Sequence, residues 1–514
     1  MKYLKPTFKP FDNQLENAKK LVNRRRALLV DKVGNGKTAT VLMAFSFLKE
    51  KERIENLLVL TPKNAYEKEV WKNDSKKFTE LNAIDLETLC SRVSNSSERL
   101  EKYLREYQII YGKHTHLKKR EYFNLCCNIA KTRTIICIDE VHAMRNAKSA
   151  LSRIYMMLSR KSYALWGLTG TPLSRNLEDT YNIVSLIKPW FLGSFVDFRD
   201  RYCKCVERVI GRSAFGLRKV LVIVGAKDEE EFKNKLEPLV VTGKSVTVPT
   251  FHYIEYSLNK EEEKYYRRIA HGIDLEENTT EGWLEKILGD AVEINEHPIK
   301  DVEKHSSRFI YLQSAADGIL NGDGTQTNEN SSKMKEVIKV IKEIVSRGES
   351  TFVYFDYYAA LEVFERVLRK ESLNISIFIS SGKKLVDSSK FNERTVKVRP
   401  CVVLCTRAAS ESESCFFVNN VIFFHIPTVP STMVQMGGRI TRKNTLFPGN
   451  LHLWLLKSEN IDLYKLIMVS VKSYQMELVS DYEANIPEDY KKEATKGDLV
   501  QAAKKHLLWE NNFK

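Results

Sequence analysis

The sequence predicts an α/β protein with two domains, each a parallel β-sheet covered by helices. Short apolar segments alternate with helical patterns in the first half of the chain, and the same alternation resumes near residue 351. Between these parts, from about residue 245 to 335, the pattern changes to charged helices and a polar, glycine-containing run. A chain of 514 residues with 43% hydrophobic residues is also too long for one ordinary core and suits two domains or three.

In the first half, short apolar runs predict buried strands, because strands covered on both faces lack the polar alternation of half-exposed ones. These predicted strands lie near 27–30, 57–60, 108–111, 135–138 and 163–168. Helical patterns lie near 11–23, 37–51, 64–77, 148–160 and 176–187. In a sheet of this kind, the active edge is the one at the carboxyl ends of the strands.

The second half repeats the pattern. Strands are predicted at 351–355, 375–379, 401–405, 421–425 and 451–456, with helices at 359–370 and 431–441. In the middle, a charged helix is expected at 260–273, and the composition of residues 317–333 is typical of a loop or flexible linker. We therefore expect a first α/β domain at 1–244, a helical or flexible connection at 245–332, a second α/β domain at 333–480 and a helical tail at 481–514.

The turn between the first predicted strand and the helix at 37–51 has the sequence DKVGNGKT, from Asp31 to Thr38. Strand, glycine turn and helix in this order direct backbone N–H groups and the positive end of the helix dipole at a phosphate. The ammonium of Lys37 would reach the outer phosphates, and the hydroxyl of Thr38 would hold Mg²⁺. The turn thus predicts a nucleoside triphosphate. However, Asp31 stands where the full pattern has glycine, and a glycine turn can also serve only to pack a helix on a strand.

Two adjacent carboxylates, Asp139 and Glu140, follow the predicted strand 135–138 in the sequence Asp-Glu-Val-His. At the carboxyl end of a strand they would share an edge with the glycine turn. One can hold Mg²⁺, and the other can orient and deprotonate the attacking water in phosphoryl transfer. An acidic pair can instead cap a helix, but together with the turn it favours a phosphoryl-transfer site.

A third group of polar residues, QMGGRITR at 435–442, lies in the second domain. Arg439 and Arg442 are three positions apart and would share one face of a helix. A guanidinium directed at the γ-phosphate stabilises the charge that develops during transfer. The same pair could equally neutralise a helix end or bind a nucleic-acid phosphate, and the spacing does not separate these possibilities.

The chain carries 81 Lys and Arg against 66 Asp and Glu, a formal charge of +15 and a pI near 9.1. This balance favours polyanionic partners, although surplus lysine can also serve only for solubility. Nine cysteines at irregular positions, without a leader-like apolar segment, argue against a secreted disulfide framework. No apolar run has the length of a bilayer span, so we expect a soluble, intracellular protein without membrane contact, in the cytoplasm or host-cell cytoplasm in preference to the nucleus.

Two groups of candidate metal ligands lack the paired spacing of a zinc site. One contains His114 and His116 with Cys126 and Cys127, and the other contains Cys203 and Cys205. Metal binding by either group is not expected.

Taken in order, these motifs resemble those of superfamily-two helicases, and more narrowly those of the Swi/Snf-type, DEAH-related ATPases. The matching positions are Gln14, Gly34 to Thr38, Leu60 to Lys63 with Trp71, Asp139 to His142, Leu168 to Leu173 with Asn176 and Glu178, Pro189 to Gly193, Ser332 to Lys335, Phe355, Gly382, and Gln435 with Arg439 and Arg442. The resemblance implies two tandem RecA-like P-loop domains with the ATP site in the cleft between them.

The resemblance also implies roles for individual residues. Gln14 would read adenine, and Gly34, Asn35, Gly36, Lys37 and Thr38 would bind the phosphates, with Thr38 and Asp139 holding Mg²⁺. Glu140 would activate water, and Gln435, Arg439 and Arg442 would act in motif VI, the arginines as fingers. Thr169 and Thr171 would link the nucleotide to nucleic acid, and Thr61, Pro62, Lys63, Gly382 and Thr406 would follow a phosphate backbone.

The implied cofactors are ATP and Mg²⁺, and the implied activity is ATP hydrolysis that drives movement along DNA, duplex in preference to single-stranded. RNA as the track and strand separation as the work remain alternatives. A further alternative is an ATP-responsive binding subunit of a polymerase, repair or defence complex, because the serines and alanines after Thr406 replace the glycines usual in motif V. Protein partners are not indicated.

Overall fold

The computed structural model confirms two α/β units, each built on a parallel sheet. One unit is formed mainly by Met1–Ser245 and the other mainly by Val246–Tyr474. The structure describes residues 2–31, 34–94, 96–170, 177–213, 216–242, 249–270, 303–319, 328, 331–380, 390–406, 415, 417–440, 445–447 and 449–479.

The first unit contains nine described strands and eleven α-helices. The strands are β1 (Arg26–Val30), β2 (Asn56–Thr61), β3 (Ala83–Asp85), β4 (Ile109–Lys113), β5 (Thr134–Ile138), β6 (Ala164–Thr169), β7 (Cys203–Ser213), β8 (Gly216–Ala226) and β9 (Val240–Thr242). The helices are α1 (Asp12–Val22), α2 (Lys37–Glu50), α3 (Lys63–Glu67), α4 (Val70–Phe78), α5 (Leu86–Val93), α6 (Ser97–Glu106), α7 (Arg120–Ala130), α8 (Ala150–Lys161), α9 (Leu177–Ile187), α10 (Phe195–Tyr202) and α11 (Glu229–Leu236).

Seven of these strands form one sheet in the order β3-β4-β2-β5-β6-β1-β9, with every pair parallel. Alternate residues of the central strands, such as Leu29, Val59 and Trp166, face the core that α1 and α2 cover. Because the opposite face is covered too, the central strands are buried along almost their whole length. The predicted strands of the first half are thereby confirmed to within about two residues.

Several features of this unit differ from the prediction, and five of its helices, α5, α6, α7, α10 and α11, were not predicted. The single helix expected at 64–77 is two helices, α3 and α4, because Glu69 adopts a left-handed backbone with φ of +49°. The strands β3 and β9 have three residues each, too few to give a periodic signal. The antiparallel hairpin of β7 and β8 was not predicted, and its register contains two irregularities.

The second unit is a six-stranded parallel sheet in the order β10-β15-β14-β11-β13-β12. Its strands are β10 (Thr250–Glu255), β11 (Thr351–Phe355), β12 (Ser376–Ser380), β13 (Cys401–Thr406), β14 (Asn420–Phe423) and β15 (His452–Lys457). Its described helices are α12 (Lys260–Ala270), α13 (Glu303–Ala316), α14 (Ser332–Ser346), α15 (Tyr358–Lys370), α16 (Glu393–Val398), α17 (Pro430–Ile440) and α18 (Ile461–Val479). The five strands predicted here are confirmed.

Two interpretations of the middle region need correction. The stretch expected to be helical also contains β10, an edge strand of the second sheet that pairs with β15. The run 317–333, expected to be a flexible linker, has buried ends: Asp317 is 1% exposed and Lys333 is fully buried. The polar composition of this run therefore reflects, at its ends, buried charges that have partners.

These partners form a buried charge cluster, which we define as Asp317, Lys333, His425 and Asp462. The Nζ of Lys333 lies 2.7 Å from Asp317 Oδ1 and 2.8 Å from Asp462 Oδ2. The Nε2 of His425 lies 2.7 Å from the other oxygen of Asp317. The cluster joins the ends of α13, α14, α18 and β14 inside the second unit.

Two expectations concern other parts of the chain. The tail 481–514 lies outside the described residues. Among the helices that are described, none combines the length and the apolar character needed to cross a membrane.

Candidate active site

The glycine turn sits between β1 and α2, as predicted. Gly34 and Gly36 have φ of +95° and +77°, left-handed values that favour glycine. The α-helix begins at Lys37, directly after Gly36. Lys32 and Val33 lie outside the described residues. The described part of the turn leads directly into the helix, and the chemistry of Lys37 and Thr38 fits a nucleotide phosphate with Mg²⁺.

Asp31, in place of the first glycine, is part of the turn's internal bonding. Its carboxylate accepts a hydrogen bond from Asn35 Nδ2 at 2.5 Å, and its backbone oxygen accepts one from Lys37 Nζ at 3.1 Å. Its backbone N–H donates to the Thr169 oxygen at 3.1 Å. The side chain is 1% exposed. Asp31 therefore stabilises the turn from inside, a role that the sequence pattern did not reveal.

Gln14 packs against the same turn. Its Nε2 donates to the backbone oxygen of Asn35 at 3.0 Å, and its Oε1 accepts from the backbone N–H of Phe11 at 3.0 Å. A Cβ atom added to Gly36 would lie 2.3 Å from Gln14 Nε2. Gln14 thus lies beside the nucleotide turn, while its reading of adenine stays a prediction.

The two predicted carboxylates lie at the carboxyl end of β5. The backbone N–H of Asp139 donates to the Leu60 oxygen at 2.8 Å, which continues the ladder to β2. Glu140 has φ of +48°, an uncommon conformation for a residue with a side chain. The turn and both carboxylates therefore belong to the same edge of one sheet.

His142 connects Glu140 to β6, the strand that lies between β5 and β1 in the sheet. Its Nδ1 lies 3.2 Å from Glu140 Oε2 and 3.1 Å from Thr169 Oγ1. Thr169 is fully buried at the end of β6, and its backbone oxygen also bonds to Asp31. Thr169 therefore links the turn to Glu140 through His142, a site residue to which no role was assigned from the sequence. Thr171 lies outside the described residues.

The carboxylates differ in their ionisation. Burial alone would raise the pKa of Glu140, but the hydrogen bond with His142 and the charge of Lys37 hold that pKa at about 2. Burial and the neighbouring charge of Glu140 raise the pKa of Asp139 above its ordinary value. Glu140 therefore has the lower pKa of the pair and is ionised at neutral pH.

Asp139 has two protein donors on one oxygen. Thr61 Oγ1 lies 2.8 Å from Asp139 Oδ2, and Trp71 Nε1 lies 3.1 Å from the same atom. Thr61 is fully buried and Trp71 is 1% exposed. The side chain of Thr61, expected on a phosphate backbone, is therefore directed at the carboxylate. Lys63, by contrast, has a side chain that is 71% exposed.

The predicted residues of the second unit can be placed in part. Gln435 and Arg439 lie four positions apart on α17 and so share one face, and Arg439 is buried. Thr406 is the last residue of β13. Gly382, Arg442 and the serine-rich stretch 407–414 lie outside the described residues.

The candidate metal ligands have partners within the first unit. His114 Nδ1 lies 2.5 Å from the Tyr155 hydroxyl, and His116 Nε2 lies 2.7 Å from Glu87 Oε1. In the part of the chain that the structure describes, no group of three or more His, Cys, Asp or Glu side chains could hold a metal ion.

Comparison with known proteins adds two family matches. A model described as the SNF2-related domain matches residues 14–307, and one described as the helicase conserved C-terminal domain matches residues 332–444. Together they cover most of both units.

Individual relatives are distant. An uncharacterized ATP-dependent helicase of Bacillus subtilis, YqhH, is 22% identical and aligns with 85% of this chain and 73% of its own length. An uncharacterized ATP-dependent helicase of Mycoplasma pneumoniae is 24% identical, and the alignment covers 75% of this chain and 34% of the relative. A solved SWI2/SNF2 ATPase core of Sulfolobus solfataricus in complex with dsDNA is 17% identical with a TM-score of 0.38, covering 97% of each chain.

Proposed function

This chain belongs to the SNF2-related family of helicase-type ATP hydrolases, and we propose that it uses ATP hydrolysis to move along duplex DNA. The observation that carries the proposal is the shared edge of the first sheet, where the glycine turn bonds to Thr169, Glu140 reaches Thr169 through His142, and Asp139 stands beside Glu140 at the end of β5. The positive charge of the chain and the order of its motifs support a nucleic-acid track.

In this proposal the residues of the first unit hold the nucleotide. The backbone N–H groups of the turn and the ammonium of Lys37 bind the phosphates, and Thr38 and Asp139 hold Mg²⁺. When bound, Mg²⁺ would neutralise charge on the phosphate oxygens. Glu140, ionised at neutral pH, orients the attacking water and accepts its proton.

We further propose that the second unit completes the reaction. Arg439 and Arg442 would stabilise the charge on the transferred phosphoryl group, and Gln435 lies on the same face of α17 as Arg439. Supply of these groups from another domain would make hydrolysis depend on domain closure, and reopening would then shift the contacts to the track.

The track contacts proposed here are Pro62 and Lys63 in the first unit and Gly382 and Thr406 in the second. Contacts to phosphate oxygens position a protein without reading bases. Binding should therefore be largely independent of base sequence.

The deciding measurement is ATP turnover with duplex DNA, single-stranded DNA and RNA. We expect the largest stimulation with duplex DNA, together with displacement of a third strand from a triplex. Preferred stimulation by single strands or RNA, with strand separation, would contradict the duplex assignment. ATP-dependent partner binding with negligible stimulated turnover would contradict a motor.

Substitutions test the assigned chemistry. Lys37→Ala or Glu140→Gln should reduce turnover by at least about 100-fold, because each removes charge or proton transfer at the phosphoryl group. Lys49→Ala is the matched control, because Lys49 lies at the opposite end of the same helix and donates to the backbone oxygen of Glu55. Turnover that survives in purified Lys37→Ala or Glu140→Gln would refute the site.

A further inference from the structure

The segment from Thr61 to Trp71 returns to the atom from which it starts. Its first side chain donates to Asp139 Oδ2 at 2.8 Å, and its last donates to the same oxygen at 3.1 Å. Both donors are buried, at 0% and 1% exposure. A carboxylate oxygen that accepts two fixed donors is held in one orientation, which leaves the other oxygen to a different partner.

Between its two ends, the segment bends out to solvent. Pro62 precedes α3, and the Lys63 side chain at the start of that helix is 71% exposed. The chain then reverses at Glu69, whose φ of +49° ends α3 and allows α4 to begin at Val70. Without this left-handed residue a single helix would continue, and the Trp71 indole would not be returned to Asp139.

The outer part of the segment is also tied to a neighbouring strand. The ring of Tyr66 packs 5.8 Å from that of Tyr111 on β4, and the Lys113 ammonium lies 5.1 Å from the Tyr66 ring centroid. Lys72 Nζ holds the Glu69 carboxylate at 2.7 Å. These contacts hold both the exposed bend and the backbone at Glu69 in place. A ligand that binds at the bend would therefore affect both donors together.

We propose that residues 61–71 form a coupling element, in which phosphate contact at the exposed bend steadies Thr61 and Trp71 on Asp139 and so tightens divalent-cation binding. Thr61 and Trp71 are positioning residues in this scheme. The inference rests on the proposed function, because it takes Lys63 as a phosphate contact and Asp139 as a metal ligand. The coupling element would allow bound DNA to regulate the ATP site.

The test is Mn²⁺ affinity of the full chain in the presence of ADP, measured by electron paramagnetic resonance with and without a short DNA duplex. We expect the duplex to tighten Mn²⁺ binding by at least about fivefold in the wild type, within the usual range of coupling between sites. Trp71→Phe keeps the ring but loses the N–H, and Thr61→Val keeps the shape but loses the hydroxyl. In either variant, the Mn²⁺ affinity with the duplex should be nearly the same as the affinity without it.

Trp166→Phe is the matched control. Trp166 is also fully buried in the first unit, but its Nε1 donates to the backbone oxygen of Arg24 at 2.9 Å, away from the carboxylates. We expect this variant to keep the wild-type tightening. If it loses as much as Trp71→Phe, the effect comes from core packing and the inference is wrong.

Two further variants sharpen the result. Because Thr61 and Trp71 act on one oxygen, their effects on Mn²⁺ affinity should be non-additive in the double variant, and strict additivity would contradict a shared clamp. Lys63→Ala changes an exposed side chain that folding does not need, and it should lower the tightening by the duplex. If Lys63→Ala, Thr61→Val and Trp71→Phe all keep the full tightening of Mn²⁺ binding by the duplex, the inference is wrong. The proposed function would still stand in that case, provided that the duplex stimulates turnover. A wild type whose turnover ignores duplex DNA would overturn the proposed function itself.

Discussion

At the scale of single residues, Gly36 carries two constraints. Its φ of +77° is a left-handed value that costs a residue with a Cβ about 1–2 kcal/mol. The space that a Cβ would need is occupied by the side-chain amide of Gln14, 2.3 Å away. The first constraint is on the backbone conformation of Gly36, whereas the second is on the space between Gly36 and the Gln14 side chain.

Gly36→Ala separates these constraints when it is compared with Gly348→Ala. Gly348 has a similar φ of +74°, but nothing lies within 4 Å of an added Cβ. We expect both variants to lose about 1–2 kcal/mol of unfolding free energy in denaturant titrations, because each places a Cβ at a left-handed backbone position. Only Gly36→Ala should also weaken ATP binding, because Gln14 must leave Asn35. Equal ATP affinity in the two variants would show that Gln14 does not support the turn.

The sequence identified the site residues whose pattern is local. Asp139 and Glu140 follow an apolar strand directly, and Lys37 opens the helix after the glycine turn that follows another, so their position at the sheet edge could be predicted. The bonds from Thr61 and Trp71 to Asp139 could not, because they join segments more than 60 positions apart. The bond from Asp31 to Thr169 was missed for the same reason, whereas its contact with Asn35, four positions away, was missed because the pattern does not show which way the Asp31 side chain points.

At the scale of elements, the buried charge cluster holds four segments of the second unit together. Lys333 on α14 is fully buried between Asp317 and Asp462. Removing one partner of a buried ion pair leaves an uncompensated charge, which costs about 3–5 kcal/mol.

Lys333→Met should therefore destabilise the chain by roughly that amount in denaturant unfolding. Lys339→Met is the control, because Lys339 lies on the same helix with a side chain that is 65% exposed and pairs with Glu336. This control should change stability little. Equal stability of the two variants would mean that the cluster adds nothing.

The cluster also predicts an acid limit. The pKa of Asp317 is lowered to about 2: burial opposes the shift, and the charges and hydrogen bonds of His425 and Lys333 outweigh it. A depressed carboxyl pKa contributes stability above its unfolded value near 4, and this contribution, about 2 kcal/mol, is lost as pH falls towards 2. Compared with the wild type, Asp317→Asn should thus show a shallower fall of unfolding free energy between pH 5 and pH 3. The difference should be at most about 2 kcal/mol. A slope equal to that of the wild type would contradict the depressed pKa.

Elements were predictable where burial is continuous. The central strands are apolar along their length because helices cover both faces of each sheet, and that pattern is visible in sequence. The break at Glu69 was not visible, because a left-handed backbone there depends on contacts with Lys72 and Tyr111. The polar run 317–333 was misjudged because composition does not distinguish a solvated charge from a buried, paired one.

At the scale of the whole molecule, the charge of +15 governs the response to salt. Each phosphate that the protein neutralises releases counterions from DNA, so affinity falls with salt. If about five phosphates are contacted, duplex affinity should fall by roughly 10²–10³-fold between 50 and 200 mM salt. Fluorescence anisotropy with duplexes of unrelated sequence measures this. A flat salt response, or strong dependence on base sequence, would contradict backbone tracking.

The ion pair between Asp317 and Lys333 also closes a ring in the chain. The two residues are 16 positions apart, and the Ser331 hydroxyl adds a bond of 2.8 Å to the Asp317 oxygen. Since the ends are fastened to each other, lengthening the chain between them adds closure entropy only slowly, and doubling its length costs about 0.6 kcal/mol of this term. We therefore expect a fluorescent reporter or an affinity handle inserted between these fastened ends of the second unit to cost little closure entropy, so that the chain could be tethered through it while DNA is supplied.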